Sequence, residues 1–447
     1  MGQTLSEPVT TKHSDEGSDA RLAYAVSEMQ GWRLSMEDAH ATILQLDDPA
    51  LQGSSSASLS AERAKAPDGN GFFAVYDGHG GGTVARFAGD TVHYRLRQTP
   101  AYKAGKYEQA LKDAFLKTDE DLLSNPEFQA DPSGCTAVAA LFTTDGKILV
   151  ANAGDSRSIL SCGGEAKAMS HDHKPVNEGE QARITAAGGF VEFGRVNGNL
   201  ALSRALGDFE FKRSAELDAE HQIVTADPDI ITHDVTAEDE FLIIACDGIW
   251  DVLTSQQTVD FVRRTIAQGN TLKEVVEKTI DLCLAPDSDW GGVGCDNMTM
   301  LVVALLGGRT QEEWYAWVTD RVNKGVGYAT PRELPQPFTI PPRNDQVGVV
   351  GRGAGGIPGS LVNVIQGSLA NHPIAARQDA EKLSTAPEGS AEALRRDTIT
   401  IGDDAAMETD EPSAPETQMN AETPHPAVQA EGLSDKSEDP TLNTASE

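Results

Sequence analysis

The chain has 447 residues, enough to bury the core of one large domain or of several ordinary ones. With 36 Lys and Arg against 69 Asp and Glu, its formal charge of −33 excludes a general nucleic-acid binder, which needs clustered cations to neutralise phosphates. Divalent cations and basic partners suit such a composition better.

At the N-terminus, Met1-Gly2-Gln3-Thr4-Leu5-Ser6 matches the myristoylation pattern, with Gly2 as acceptor and a hydroxyl at the sixth position. One acyl chain would give reversible peripheral membrane contact. The alternative is a plain flexible N-terminus, and residues 1–20 are expected to be flexible in either case. From about Leu22 to Leu306 the apolar residues are periodic. Strands are expected at Leu22–Glu28, Ala39–Leu46, Gly71–Tyr76, Thr136–Phe142, Ile148–Ala153, Asp229–Val235, Glu240–Cys246 and Met298–Leu306. Helices are expected at Thr83–Arg97, Tyr107–Leu123, Glu178–Ala187, Ser255–Ala267, Leu272–Leu284 and Glu312–Asn323.

Several strands are near-continuous apolar runs, the pattern of strands covered on both faces. Strands in runs, with helices clustered between them, favour an α+β fold of layered, mostly antiparallel sheets with helices outside. The Ser/Ala-rich stretch 51–68 reads as a surface excursion. Beyond Lys324 the chain is rich in Pro, Gly, Ala, Ser and Thr, and beyond Asp397 almost every charge is acidic. Residues 326–447 are therefore expected to form a disordered acidic tail, too poor in apolar side chains to offset the entropy of ordering.

The five cysteines, Cys135, Cys162, Cys246, Cys283 and Cys295, are scattered and never at C-x-x-C spacing, which predicts reduced thiols. No apolar run of about 18 residues and no secretory leader occurs, so an intracellular protein, cytoplasmic and in part nuclear, is expected. With no heptad pattern, a monomer is the default.

Carboxylates recur at strand ends. Phe72–Tyr76 runs into Asp77-Gly78-His79-Gly80-Gly81, Ile148–Gly154 into Asp155, and Phe241–Cys246 into Asp247-Gly248, while Asp296 precedes the strand at Met298. Each Asp alone is an ordinary turn residue. If the strands are neighbours, their ends bring the carboxylates together, and carboxylates a few ångströms apart must take up protons or hold a cation. Oxygen-only ligands select hard ions such as Mg²⁺ or Mn²⁺ over zinc. The reaction is left open by this pattern alone.

The chain resembles the metal-dependent protein phosphatase family, protein phosphatase 2C, across about residues 20–325. The matching segments are Gly31-Trp32-Arg33 with Met36-Glu37-Asp38-Ala39-His40, Tyr76-Asp77-Gly78-His79-Gly80-Gly81, Ser133-Gly134-Cys135-Thr136-Ala137 and Ala151-Asn152-Ala153-Gly154-Asp155-Ser156-Arg157. Asp172-His173-Lys174-Pro175, Leu202-Ser203-Arg204-Ala205-Leu206-Gly207-Asp208, Ala245-Cys246-Asp247-Gly248-Ile249-Trp250-Asp251 and Cys295-Asp296-Asn297-Met298-Thr299 follow in the family order.

The resemblance implies a four-layer αββα sandwich with a metal cleft at one end, and hydrolysis of phosphoserine and phosphothreonine in phosphoprotein substrates. It assigns Asp77 as the carboxylate bridging two Mg²⁺ or Mn²⁺ ions, with Asp247 and Asp296 on one ion and Glu37 and the Gly78 carbonyl on the other. Asp155 and Asp251, with Asp247, match a third, weaker metal site. A water held between two cations loses a proton near neutral pH and attacks phosphorus in line, without a phosphoenzyme. Arg33 is suited to grip the phosphate and His79 to protonate the leaving oxygen. The segment from Lys174 to about Asn199 resembles the family's flap beside the active site, and Arg204 and Asp208 are candidates to support the cleft.

His171-Asp172-His173 looks like a metal cluster, but adjacent residues of an extended segment point to opposite faces, so a structural role is expected. Other metallophosphatases would need Gly-Asp-x-x-Asp-Arg-Gly and Gly-Asn-His-Glu segments, which do not occur, and haloacid-dehalogenase types an Asp-x-Asp nucleophile motif at a strand end, which is lacking. The remaining alternative is a non-catalytic phosphoprotein-binding regulator of the same fold.

Overall fold

Alternate residues of the central strands face two different apolar layers, which is why those strands read as unbroken hydrophobic runs. The computed structural model describes residues 4–48, 69–128, 131–288, 290 and 292–338. All of them belong to one of two units of the chain, residues 1–384. Gly2, the excursion at 51–68 and residues 339–447 of the expected tail lie outside the described residues.

The strands of the two large sheets are β1 (Thr4–Ser18), β2 (Leu22–Arg33), β3 (Ala39–Ile43), β4 (Gly71–Tyr76), β5 (Ala137–Phe142) and β6 (Lys147–Ala153). They continue with β7 (Arg157–Cys162), β8 (Glu165–Ala168), β9 (Asp229–Asp234), β10 (Asp239–Ala245) and β11 (Met298–Leu305). One sheet has the order β1-β2-β11-β10-β7-β8 and the other β9-β6-β5-β4-β3. Every neighbouring pair is antiparallel.

Leu22, Tyr24 and Val26 of β2, Leu242 and Ile244 of β10, and Leu301 and Val303 of β11 meet Phe73, Val75, Val138 and Val150 of the other sheet in a common core. The Tyr24 and Phe73 rings, 5.5 Å apart, join the two sheets directly. The intervening residues face outward. Phe72, Ala74 and Tyr76 are covered by helices α1 (Thr83–Gln98) and α2 (Tyr107–Ser124). Helix α3 (Glu178–Ala186) belongs to an insertion between β8 and β9 with its own small core of Ile184, Val196, Ala205, Phe211 and Val224. Ala23, Phe241, Ile243, Met300 and Val302 are covered by α4 (Ser255–Ala267), α5 (Leu272–Cys283) and α6 (Gln311–Lys324). The fold is thus the expected α+β sandwich of mostly antiparallel sheets flanked by helices, and each large side chain buried in it contributes about 1.5–3 kcal/mol.

Helices α4 and α5 start where expected and α6 one residue earlier, at Gln311, because each opens with a reciprocal capping box, Thr254 with Gln257, Thr271 with Glu274 and Thr310 with Glu313. Among the described residues no helix is long and apolar enough to cross a membrane.

Two expectations are corrected. Residues 4–18, expected to be flexible, form the edge strand β1, antiparallel to β2. Its register breaks between Thr4 and Val9 and again before Lys12, around Pro8, which has no N–H to donate. The strand is polar because its backbone ladder and side-chain ties, Ser14 to Glu277 at 2.7 Å and Lys12 to Asp281 at 2.6 Å, do not demand apolar residues. Residues 326–338, assigned to the tail, instead lie against the folded domain, because Arg263 and Arg264 donate hydrogen bonds to that segment. Strands β7 and β8 were also absent from the expected set. Their Ser, Cys, Lys and Glu content hides the alternation.

His93 on α1 packs near the Phe72 ring, and its Nδ1 is buried without a partner. Burial, with the charge of Arg97 adding, pushes its pKa down from 6.5 to about 4. Between those values the unfolded chain binds the proton and the folded one does not, so stability is lost as pH falls through this window. Urea unfolding at a series of pH values is expected to show His93→Gln losing less stability than wild type between pH 6.5 and 4, with no extra difference above pH 7.

Candidate metal centre and active site

The strand register places the predicted site residues at one end of the sandwich. Arg157 lies opposite Ala245, Ala245 opposite Met300, and Met298 opposite Met29 in one sheet; Ala39 lies opposite Tyr76 and Ala137 opposite Ala153 in the other. Asp77, Asp155 and Asp247 follow β4, β6 and β10, while Glu37, Asp38 and Asp296 precede β3 and β11. All six therefore emerge at the same end.

Carboxylate oxygens of Asp77, Asp155 and Asp247 lie within 4.8 Å of one another. A second group of the same tightness joins Asp77 to Asp38 and the Cys246 sulfur. Glu37, Asp251 and Asp296 stand outside these two groups. Asp38 is the residue that spacing arguments passed over: it sits beside Glu37 in a matching motif, but no role was assigned to it.

The electrostatics are those of a site awaiting positive charge. Asp77 and Asp247 keep some surface in the cleft. Burial nevertheless pushes the Asp77 carboxyl well above the usual range, and Asp247, Asp38, Asp296 and Asp155 push it further. Burial does the same to Asp247, helped by Asp155, Asp251 and Asp296 and opposed by Lys174. Burial raises Asp38 to about 6 even though the Thr299 hydroxyl donates to it at 2.7 Å. Its other oxygen, Oδ1, is buried without a hydrogen-bond partner. A cation would relieve all of these at once, and the oxygen-only donors suit a hard divalent ion. Cys246 does not change that choice. Its sulfur is already engaged, donating to the Asn297 carbonyl at 3.6 Å and accepting the Thr299 N–H at 3.2 Å.

Two glycines allow the elements to approach. A Cβ at Gly78 would lie 2.2 Å from the Glu37 carbonyl oxygen, and one at Gly248 would lie 2.1 Å from that of Asn297. Asn297 ties the same loops together: its Nδ2 donates to the carbonyls of Gln30 and Ser35 at 2.8 and 2.9 Å, and its Oδ1 accepts from the Glu37 N–H at 3.0 Å. Glu37 itself accepts from the Gly81 N–H at 3.1 Å and from the Ser35 hydroxyl at 2.7 Å.

Around this cluster stand the cations. Arg33 pairs with Asp296, and its side chain is 42% exposed, so the guanidinium still faces solvent. Lys174 pairs with Asp155, tying the insertion that carries α3 to the carboxylate group. His79 bonds through Nε2 to Asp208 at 2.7 Å. Burial lowers the His79 pKa, but the charge and hydrogen bond of Asp208, aided by Asp155 and Glu37, carry it above its ordinary value.

Other candidates take supporting places. Arg204 binds Glu180 and Asp229. His173 accepts the Gly154 N–H and contacts Asp229, while Asp172 pairs with Arg157, the structural roles expected of that triplet.

The family model for protein phosphatase 2C matches residues 22–289. The chain belongs to the protein phosphatase 2C family. Similar relatives include protein phosphatase 2C homolog 2 of Hypocrea jecorina, 55% identical over 333 residues that cover 74% of each chain. Protein phosphatase 2C homolog 2 of Schizosaccharomyces pombe is 50% identical over 343 residues, 76% of this chain and 89% of that one. Among solved structures, serine-threonine phosphatase 2C from Toxoplasma gondii superposes with a TM-score of 0.53 at 22% identity, covering 68% of this chain and 100% of the other. That likeness speaks for the fold alone. The protein is a serine/threonine protein phosphatase of a metal-dependent family, acting on phosphoprotein substrates.

In this phosphatase the close approach at Gly248 is a test of how tightly the cluster is built. Gly248→Ala forces Asp247 away from the Asn297 backbone. Calorimetric titration with Mn²⁺ is expected to show affinity reduced about 10- to 100-fold, the usual cost of disturbing groups that orient metal ligands.

Proposed function

We propose that the phosphatase hydrolyses phosphoserine and phosphothreonine by direct attack of water, with two Mg²⁺ or Mn²⁺ ions and no phosphoenzyme. The observation that supports this reading best is the convergence of Asp77, Asp155 and Asp247 within 4.8 Å, with their mutual repulsion only partly offset by Lys174. In this reading Asp247 and Asp296 would hold one ion, Glu37 and the Gly78 carbonyl the other, and Asp77 would contribute to both. Asp155 and Asp251, with Asp247, would hold a weaker third ion. The bound ions supply the positive charge that activates water for attack and offsets the charge on the phosphoryl oxygens.

The chain's own residues do the rest. Arg33 grips the phosphate: a planar guanidinium gives two parallel hydrogen bonds, and its pairing with Asp296 keeps it at the cleft when no substrate is bound. His79 holds a proton because Asp208 faces its Nε2, and it delivers that proton to the departing Ser or Thr oxygen, which leaves poorly as an alkoxide. No acidic nucleophile on the chain needs to become phosphorylated.

The test is hydrolysis of a phosphothreonine peptide with Mn²⁺ or Mg²⁺. Chelator and Asp247→Asn are each expected to abolish turnover; activity surviving both would contradict the metal reading. A wild-type protein inactive with every divalent ion would support the non-catalytic regulator instead.

His79→Gln is expected to lower kcat on the peptide by about 10²- to 10⁴-fold. On an aryl phosphate, whose leaving group needs no proton, the loss should be much smaller. Equal losses on both substrates would remove His79 from the acid role.

A further inference from the structure

The segment that leaves α6 at Gly325 turns back over the domain and ends beside the phosphate site. Its first part is tied to the far side of the sandwich. The Tyr328 N–H donates to the Gly163 carbonyl at 2.8 Å. Arg263, fully buried and paired with Glu240, donates to the Tyr328 carbonyl at 3.0 Å and to the Thr330 hydroxyl. Arg264 holds the carbonyls of Thr330 and Pro331 at 2.8 and 2.9 Å. A segment poor in apolar residues is thereby ordered through its backbone.

At the other end is Phe338. Its ring meets Trp290 edge-on, with centroids 5.2 Å apart and planes at 76°. Both rings join a cluster with Trp32, Ala285 and Cys295, all three buried. A Cβ on Gly294 would lie 2.6 Å from the Phe338 ring, so that ring rests directly on the loop between α5 and β11. Trp32 is locked across the cluster by its indole N–H, which donates to the Ala285 carbonyl at 3.0 Å.

The cluster is adjacent in sequence to two site residues: Trp32 precedes Arg33, and Cys295 precedes Asp296. The described residues of the loop that carries Cys295 and Asp296 form turns rather than a strand ladder. Backbone bonds close the loop on itself, from the Ala285 N–H to the Gly294 carbonyl at 2.9 Å and from the Cys295 N–H to the Gly292 carbonyl at 3.1 Å. Its seat against β2 is made by the Asn297 amide and the Trp32 cluster, to which Phe338, among the described residues, adds a ring from outside the loop and β2.

We propose that residues 326–338 form a strap and that Phe338 is a positioning residue for catalysis, clamping Trp32 and Cys295 so that Arg33 and Asp296 face the cleft in register. The proposal rests on the assignment of Arg33 to the substrate phosphate and of Asp296 to a metal ion. Phe338 touches neither substrate nor metal; it acts through the residues next to them.

Full-length Phe338→Ala, Phe338→Leu, Arg33→Ala and the Arg33→Ala/Phe338→Ala double variant test this. KM and kcat are measured on a phosphothreonine peptide, Mn²⁺ affinity by calorimetry, and folding by thermal melting. Phe338→Ala is expected to raise KM and weaken Mn²⁺ binding by about tenfold each, with kcat changed far less. Phe338→Leu, which keeps most of the apolar volume, should recover part of both and carries the test if the alanine variant does not fold. Added to Arg33→Ala, Phe338→Ala should raise KM little further, because both changes act on one contact.

If Arg33→Ala raises KM while a folded Phe338 variant changes neither KM nor Mn²⁺ affinity, the strap has no positioning role. If Arg33→Ala leaves KM unchanged, the phosphate assignment fails by itself, and the Mn²⁺ affinity of the Phe338 variants then decides the strap.

Discussion

The repulsion among carboxylates gathered at one end of the sandwich is the constraint on which the rest of the structure turns. Two carboxylates about 4 Å apart oppose each other by roughly 4 kcal/mol at an effective dielectric near 20. Asp77 faces several such neighbours, and burial adds to the penalty. No local feature could hold this arrangement, so the cost is offset by the whole double-sheet core, whose strands end where the charges must meet. Divalent cations turn the same repulsion into attraction, which is why a fold can carry it at all.

Rigid delivery follows from the same requirement. The carboxylates come from different strands of both sheets, and their convergence depends on backbone approaches that Gly78 and Gly248 leave open and on the three hydrogen bonds of Asn297. The periphery is tied to the cluster by ion pairs: Lys174 links the α3 insertion to Asp155, and Asp208, within that insertion, links it to His79. The α3 insertion and the loop of His79 therefore share contacts with the charged centre.

Much of this was legible in the sequence because the relevant signals are local. Strands β4, β5 and β11 announce themselves as apolar runs covered on both faces, α4 to α6 by helical periodicity, and the carboxylates by their place just past or before a strand. What escaped notice depends on partners distant in sequence. Strand β1 is polar and exists through its ladder to β2; β7 and β8 blur their alternation with Ser, Lys and Glu. The stretch 326–338 has the composition of a tail and is ordered by Arg263, Arg264 and Trp290, which no neighbouring residue predicts. Asp38 was visible within its motif, but its unpartnered buried oxygen emerges only when Thr299 and Cys246 are seen beside it.

Anomalous scattering from crystals of the full-length protein grown with Mn²⁺ tests the central claim most directly. The account predicts two strong manganese positions at this end of the sandwich, both in contact with Asp77, one also with Asp247 and Asp296 and the other with Glu37 and the Gly78 carbonyl. A single ion, or manganese bound away from Asp77, would contradict it.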